Sequence, residues 1–310
     1  MPDPPEPSDQ QPRARDRYRT DPADIASAVP SAARMYNYVL GGKNHFAADR
    51  IAAEQALALV PQARRIALAN KYFLGRSVLL MAEQGVSQYL DLGTGIPTSP
   101  TVHEIARAAN PTARVVYVDS DPVVTVHNRA LLAASEGIRA IDGDIRRPEG
   151  ILNHPSVADL IDFSQPVGVL MVAVLHFITD DEGPGRVVQA FADRMSQGSF
   201  LALSHATSEG TDSDAMAAIR DAYAHATAQA VFRPAAQIRG FFTGFEIQPP
   251  GLIDVVDWFP YARIFAASST VRVLGGLGQK QLWRLPCPVP TAQTEQVPVG
   301  AKSMTRPAGR

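Results

Sequence analysis

The chain reads as an α/β protein, doubly wound around a mostly parallel Rossmann-like sheet, and three observations lead there. An apolar segment, Gln88-Tyr89-Leu90-Asp91-Leu92, runs directly into Gly93-Thr94-Gly95-Ile96-Pro97. Two more apolar segments, Ala113 to Asp119 and Ile138 to Ile145, carry acids at or near their ends. A continuous apolar run from Val167 to Leu175 suits a parallel strand covered on both faces.

The remaining elements follow in chain order. Pro2, Pro4, Pro5, Pro7 and Pro12 stand among charges with no apolar period, so residues 1–21 are expected to be a disordered tail, and 286–310 likewise. Residues 22–85 read as a helical cover and 86–285 as the sheet domain. In the cover, Ser31 opens a helix with Met35, Tyr38 and Val39 on one face, and Gly41 closes it. A second helix spans 49–60, stopped by Pro61, and a third spans about 62–84 with Ile66, Phe73 and Leu80 along one side. After the apolar run come a helix over 181–195, a strand over 199–204 and a helix over 212–228. Two β-rich stretches, 245–258 and 263–274, meet near Pro260.

Composition narrows the function. The 310 residues are 45% hydrophobic, enough for a sizeable core, and the formal charge of -2 gives no bulk attraction for nucleic acid. The pairs Arg64-Arg65 and Arg146-Arg147 read as solvated faces. A single cysteine, Cys287, excludes an intrachain disulfide, and no Cys/His spacing suits a metal. Without an apolar leader or a run near the ~20 residues of a spanning helix, a cytoplasmic protein off the membrane is expected. No oligomeric state follows from the sequence.

The loop after the first strand admits two cofactors. A dinucleotide site wants G-x-G-x-x-G, but Thr98 stands where the third glycine belongs. Asp91, two residues before Gly93, would repel a phosphate and attract an ammonium group. S-adenosylmethionine carries that ammonium and no phosphate. Asp119 lies 24 positions beyond Gly95, close to the roughly 20 typical of a ribose-binding acid. Asp144 could accept from an adenine amino group, with the Ile145 N–H facing the ring. Asp119 and Asp144 could instead cap the helices that follow. The expected cofactor set is Asp91, Gly93, Thr94, Gly95, Asp119, Asp144 and Ile145, with no metal.

The run from Ala33 to Arg50, Ala-Arg-Met-Tyr-Asn-Tyr-Val-Leu-Gly-Gly-Lys-Asn-His-Phe-Ala-Ala-Asp-Arg, resembles the opening signature of an actinobacterial family of S-adenosylmethionine-dependent methyltransferases of uncharacterised substrate. Matching segments follow in order: Leu90 to Thr98, Val102-His103-Glu104, Val118-Asp119, Gly143-Asp144, Val172 to Ile178, and Phe241-Phe242-x-Gly244-Phe245-Glu246. The resemblance covers about Pro30 to Gln279. It implies a seven-stranded class I methyltransferase sheet closed by an antiparallel pair, with a helical cover at the N-terminus. Two segments depart from the family pattern: Ser99-Pro100-Thr101, where Ser99 is expected to cap a helix, and the glycine-rich end Leu274-Gly275-Gly276-Leu277-Gly278.

Methyl transfer from a sulfonium needs alignment more than acid or base, and a base matters only if the acceptor loses a proton. His176 is the first candidate base, because it follows the fourth strand at the sheet end where ligands bind; His205, placed after the fifth strand, is second. His103 reads as packing or capping. Tyr36 and His176 are the candidate catalytic residues facing a small-molecule acceptor. Tyr36, Asn37, Lys43 and Asp49 form a candidate lid, although Asn37 and Asp49 could equally be the wet face of a helix. Two rivals stand beside the methyltransferase: a non-catalytic S-adenosylmethionine-binding sensor, and a nicotinamide dehydrogenase resting on Gly93-x-Gly95 and Asp119.

Overall fold

A computed structural model describes residues 27–132, 135–258 and 270–281. The two expected tails, Cys287 and the stretch around Pro260 lie outside the described residues. In chain order the elements are α1 (Ala32–Val39), α2 (Ala47–Leu59), α3 (Ala63–Glu83), β1 (Gln88–Leu92), α4 (Val102–Ala109), β2 (Arg114–Asp119), α5 (Pro122–Leu132), β3 (Ile138–Asp142), α6 (Pro148–Leu152) and α7 (Pro155–Leu160). They continue with β4 (Gly168–Val172), a 3-10 turn (Leu175–Phe177), α8 (Pro184–Arg194), β5 (Phe200–Thr207), α9 (Ser213–Tyr223), α10 (Ala235–Gly240), β6 (Phe245–Ile247), β7 (Ile253–Asp254), a 3-10 turn (Val255–Trp258) and β8 (Arg272–Lys280).

The strand order is β3-β2-β1-β4-β5-β8-β6, with β7 also paired to β8. Pairing is parallel from β3 through β5, while β8 runs antiparallel to β5, β6 and β7. Strand order reverses between β1 and β4, and there the strand ends open a crevice. Because side chains alternate across a strand, each strand feeds two cores. Tyr89, Val115 and Leu170 join Phe73, Met81 and Ala106 on one side. Leu90, Val116 and Val169 join Val157, Val188 and Phe191 on the other. The helix α3 therefore belongs to the sheet's own core, whereas Met35, Ala52 and Ala53 of α1 and α2 form a separate small cluster with Tyr223 and Ala226 beside it.

Several elements differ from expectation for local reasons. The fifth strand continues past Ser204 to Thr207, because β8 pairs along its whole length, Thr207 opposite Arg272. The stretch 245–258 is two short strands and a turn, since Pro249 and Pro250 bring no N–H to a ladder. Helix α8 starts at Pro184, because Gly183 at the cap is left-handed (φ 72°) and 179–182 is held as a turn by the Glu182 carboxylate accepting from Thr179 N (2.9 Å). Helix α9 ends at Tyr223 rather than 228, and the chain beyond it donates from Thr227 N to Pro30 O (2.9 Å). Thr101, not Ser99, caps α4: it accepts from Glu104 N while the Glu104 carboxylate accepts from Thr101 N (2.6 Å), a capping box.

The glycine-rich last strand also has a steric explanation. A Cβ at Gly276 would lie 2.9 Å from the Phe242 ring, and one at Gly278 2.8 Å from it. At Gly275 a Cβ would meet Val255 at 2.9 Å and the Phe73 ring at 3.0 Å. Rings from both sides of the sheet lie against β8 where side chains would otherwise stand.

Candidate active site

A cavity of 380 Å³ opens at the carboxyl ends of β1, β2 and β4 and extends under α1, α2 and α9. Asp91, Gly93, Thr94, Gly95, Asp119, Asp144 and Ile145 all line it, as do Tyr36 and His176. The three acids predicted from chain order thus face one space. Lys43 is exposed and does not line it.

The glycine loop is built on β2. Gly93 N and Thr94 N both donate to Val118 O (2.8 and 3.1 Å). Gly93 is left-handed (φ 69°), and a Cβ there would lie 2.3 Å from Val174. Gly95, also left-handed, meets nothing within 4 Å of its Cβ position, and its N–H donates to Asp119 Oδ2 (2.8 Å). Thr94 Oγ1 donates to Asp91 Oδ2 (2.9 Å). At the N-terminus of α4, which begins six residues beyond Ile96, the capping box takes up Glu104 N and the Tyr117 hydroxyl accepts from His103 N (3.0 Å).

The acids differ electrostatically. Burial pushes the Asp91 carboxyl up to about 7, opposed by the Thr94 hydroxyl and reinforced by the charge of Asp119. Burial raises Asp119 to about 6 against the amides of Asp121 and Gly95. Asp144 is half-exposed; burial works against its charge, yet the hydrogen bonds and charge of Arg146 hold it below the usual carboxylate range. Arg146 pairs with Asp144 at 2.8 Å and with Glu182 at 2.7 Å.

Both histidines are neutral at pH 7. His176 sits in the turn after β4, with Nδ1 accepting from Ala206 N (3.4 Å). Burial, then the neighbouring His205 and Arg233, hold it well below the ordinary histidine value. His205, expected after the fifth strand, lies within β5 and is fully buried. Burial chiefly, and Arg233, lower it to about 4. Its Nδ1 faces Ala206 O at 2.7 Å, so the proton sits there and Nε2 accepts from Arg233 Nη1 (2.8 Å). His103 bonds Tyr117 and Thr101, as a packing residue. The Tyr36 hydroxyl donates to Ala67 O (3.0 Å) and accepts from Asn70 Nδ2 (3.1 Å); burial pushes it up to about 12, against the pull of Asn70.

Sequence reasoning missed two arginines that hold the site together. Arg34, 2% exposed, donates to Asp49 (2.9 Å), Asp121 (2.9 Å) and Val29 O (2.7 Å). Asp49 is buried, not a wet face: it also accepts from Ser31 N (2.8 Å) and Phe46 N (2.7 Å), and the Ser31 hydroxyl donates to Asp121. Asp121 follows Asp119 by two residues, so this network ties the cover to the β2 acid. Asn37, also buried, accepts from Asn44 N (3.0 Å) and shapes the Gly41-Gly42 turn. Arg233, 1% exposed, donates to Asp180, Leu175 O, Ile178 O and His205, and so fixes the turn that carries His176. An arginine among apolar helix positions, or just after a short apolar run, is the sequence signal for such clamps.

The sheet order with its antiparallel β8 and the acid-lined crevice define a class I methyltransferase. The sequence model of the S-adenosyl methyltransferase family matches residues 18–281, and the chain belongs to that family. A Thermobifida fusca protein described as a candidate methyltransferase is 36% identical, with a TM-score of 0.78 over 84% of this chain and 98% of its own. A DUF574 family protein from Streptomyces avermitilis is 31% identical, with a TM-score of 0.79 over 83% of this chain and 99% of its own. No curated protein matches the chain significantly. The activity is S-adenosylmethionine-dependent methyl transfer, which sets aside the dehydrogenase and sensor readings.

The residues present fit that cofactor. Two desolvated carboxylates, Asp91 and Asp119, want donors such as an ammonium and ribose hydroxyls. A pyrophosphate would meet four lining acids, Asp91, Asp119, Asp121 and Asp144, against two lining cations, of which Arg146 is already paired with two carboxylates and Lys71 bonds Ser99 O (2.8 Å). Among the described residues no helix is long and apolar enough to cross a membrane.

Proposed function

We propose that the protein transfers a methyl group to a small-molecule acceptor, with Asp91, Gly93, Thr94, Gly95, Asp119, Asp144 and Ile145 holding the cofactor. The convergence of Asp91, Asp119 and Asp144 on one cavity carries this reading. Asp91 would take the ammonium end, with Thr94 fixing its carboxylate. Asp119 would take the ribose, giving up its bond to Gly95 N. Asp144 and Ile145 would face the adenine, with Arg146 steadying the carboxylate. S-adenosylmethionine supplies an electrophilic methyl on a sulfonium whose leaving group departs neutral, so no acid is required.

The chain contributes alignment and exclusion of water, effects worth roughly 7 to 11 kcal/mol of barrier. His176 positions the acceptor instead of deprotonating it: its Nδ1 lone pair is taken by Ala206 N, which leaves the proton on Nε2 and makes that nitrogen a donor. Tyr36 likewise stays protonated and serves as wall and positioning group. The run Ala33 to Arg50, read as a family signature, acts through Arg34 and Asp49 to seat the cover on the cofactor site. A cytoplasmic location belongs to the same reading, supported by the single cysteine.

Thermal denaturation with S-adenosylhomocysteine tests the cofactor assignment. At a hundredfold excess over its dissociation constant, the native protein should gain about 2.7 kcal/mol. Asp119→Ala should lose most of that gain. A folded Asp119→Ala protein that binds normally would remove Asp119 from the site.

A further inference from the structure

Beyond the strand ends, the same cavity continues as a chamber between the cover and α9, walled by Met35, Tyr36, Ile66, Tyr223, Val273 and Phe232. None of these six wall residues carries a charge, and the two cations of the cavity lining are Lys71, which bonds Ser99 O (2.8 Å), and Arg146, which pairs with Asp144. Arg220, which lies over the Phe232 ring at 5.6 Å, is exposed and outside the wall. The acids of the cavity stand at the other end, where the cofactor reading places them. An ion held against these walls would shed its water and find no counter-charge among them, a strongly unfavourable exchange. Aromatic rings face the space as well: Tyr36 and Tyr223 are in the wall, with Phe177 packed on Tyr223 at 5.2 Å between centroids.

One polar atom is out of place in this lining. Asn70, 3% exposed, also lines the cavity, and its Oδ1 has no hydrogen-bond partner among the described residues. Buried side-chain oxygens are nearly always paired. The amide cannot be turned over to cure this. Its Nδ2 donates to the Tyr36 hydroxyl, whose own hydrogen goes to Ala67 O, so that hydroxyl has only a lone pair to offer. The carbonyl oxygen of Asn70 is therefore left as an acceptor in want of a donor.

We propose that the methyl acceptor is an uncharged, ring-bearing apolar molecule carrying one O–H or N–H, seated in this chamber with Asn70 Oδ1 accepting from that donor. The inference rests on the methyltransferase site above and names the chemistry of its second substrate.

Isothermal titration at pH 7.5 with size-matched naphthalenes tests it, on protein both free and saturated with S-adenosylhomocysteine. The probes are 1-naphthol, 1-methylnaphthalene, 1-naphthoate and 1-naphthylmethylammonium. The neutral 1-naphthol should bind at least tenfold more tightly than either ion, and about fivefold or more tightly than 1-methylnaphthalene. Asn70→Leu should weaken 1-naphthol about tenfold, leave 1-methylnaphthalene within twofold, and leave S-adenosylhomocysteine within twofold. Equal binding of the ions, or no advantage of 1-naphthol over 1-methylnaphthalene in the native protein, would overturn the proposal whether or not the variant folds. Failure of S-adenosylhomocysteine to bind would overturn the cofactor assignment instead, and the probes on the free protein would still decide the chamber.

Discussion

Replacing Arg34 with methionine should release the cover from the sheet. Methionine keeps most of the side chain's volume but leaves Asp49 and Asp121, whose carboxylates each sit 2.9 Å from the guanidinium, without their shared cation. Arg34 and Asp49 are almost wholly buried, and Asp121 is 10% exposed, so solvent does little to screen the loss. Breaking a buried pair by removing one partner costs about 3 to 5 kcal/mol. Because α3 is part of the sheet core while α1 and α2 form their own small cluster, the cost should fall on local opening of α1 and α2. At 1.36 kcal/mol per tenfold, amide exchange there should speed up by roughly 10²·² to 10³·⁷. Hydrogen exchange with mass spectrometry reads this directly, with β1 and β4 peptides as internal standards. Arg64→Met is the control: Arg64 also bonds the cover, through Val39 O (3.1 Å), but from an exposed position where about 1 kcal/mol or less is at stake. Exchange in α1 and α2 unchanged within about threefold in Arg34→Met would refute the assignment of Arg34 as the anchor.

The pH dependence of cofactor binding follows from Asp91. In the free protein burial favours its neutral form, with a pKa of about 7, whereas pairing with an ammonium requires the carboxylate. Affinity for S-adenosylhomocysteine, by calorimetry from pH 5.5 to 8.5, should therefore rise with pH and level above about 7, falling up to about tenfold per unit below it. Asp91→Asn should flatten the profile. The free protein's stability carries the opposite sign at this group: the contribution is full below the unfolded value of 3.8 and is lost as pH rises through about 7. Arg233→Met leaves Leu175 O and Ile178 O without their buried donor, so urea denaturation should show a loss of about 2 to 4 kcal/mol, and the NMR titration of His205 should move up from about 4 as the adjacent cation goes. Gly275→Val should cost about 1 to 3 kcal/mol by overpacking Phe73 and Val255, whereas Gly150→Ala, in open space on α6, should gain about 0.5 to 1 kcal/mol; the reverse order of urea midpoints would contradict the packing described for β8.

What the sequence determined by itself was everything written in local order. Of the five parallel strands, β1, β2, β4 and β5 were legible as short apolar runs buried on both faces and β3 as a partly buried apolar piece at the sheet edge, and the acids at Asp91, Asp119 and Asp144 were legible because strand ends in such a sheet share one edge. The helices α1, α2 and α3 were legible from a 3.6-residue period with glycine or proline at their ends. The tertiary structure alone decided who pairs with whom. Arg34 meets Asp121 across 87 residues, and Arg233 meets Asp180 across 53, distances at which no periodicity links one residue to the other. It also decided the state of each titratable group. The same residue type gives a carboxyl near 7 at Asp91 and one below the usual range at Asp144, because burial wins at the first and Arg146 at the second. His205 lay on the wrong side of a strand end for the same reason: β5 runs as far as β8 pairs with it, and β8 arrives from 65 residues beyond the last residue of β5. Patterns along the chain record which faces must be buried; only folding brings the charges close enough to set each other's chemistry.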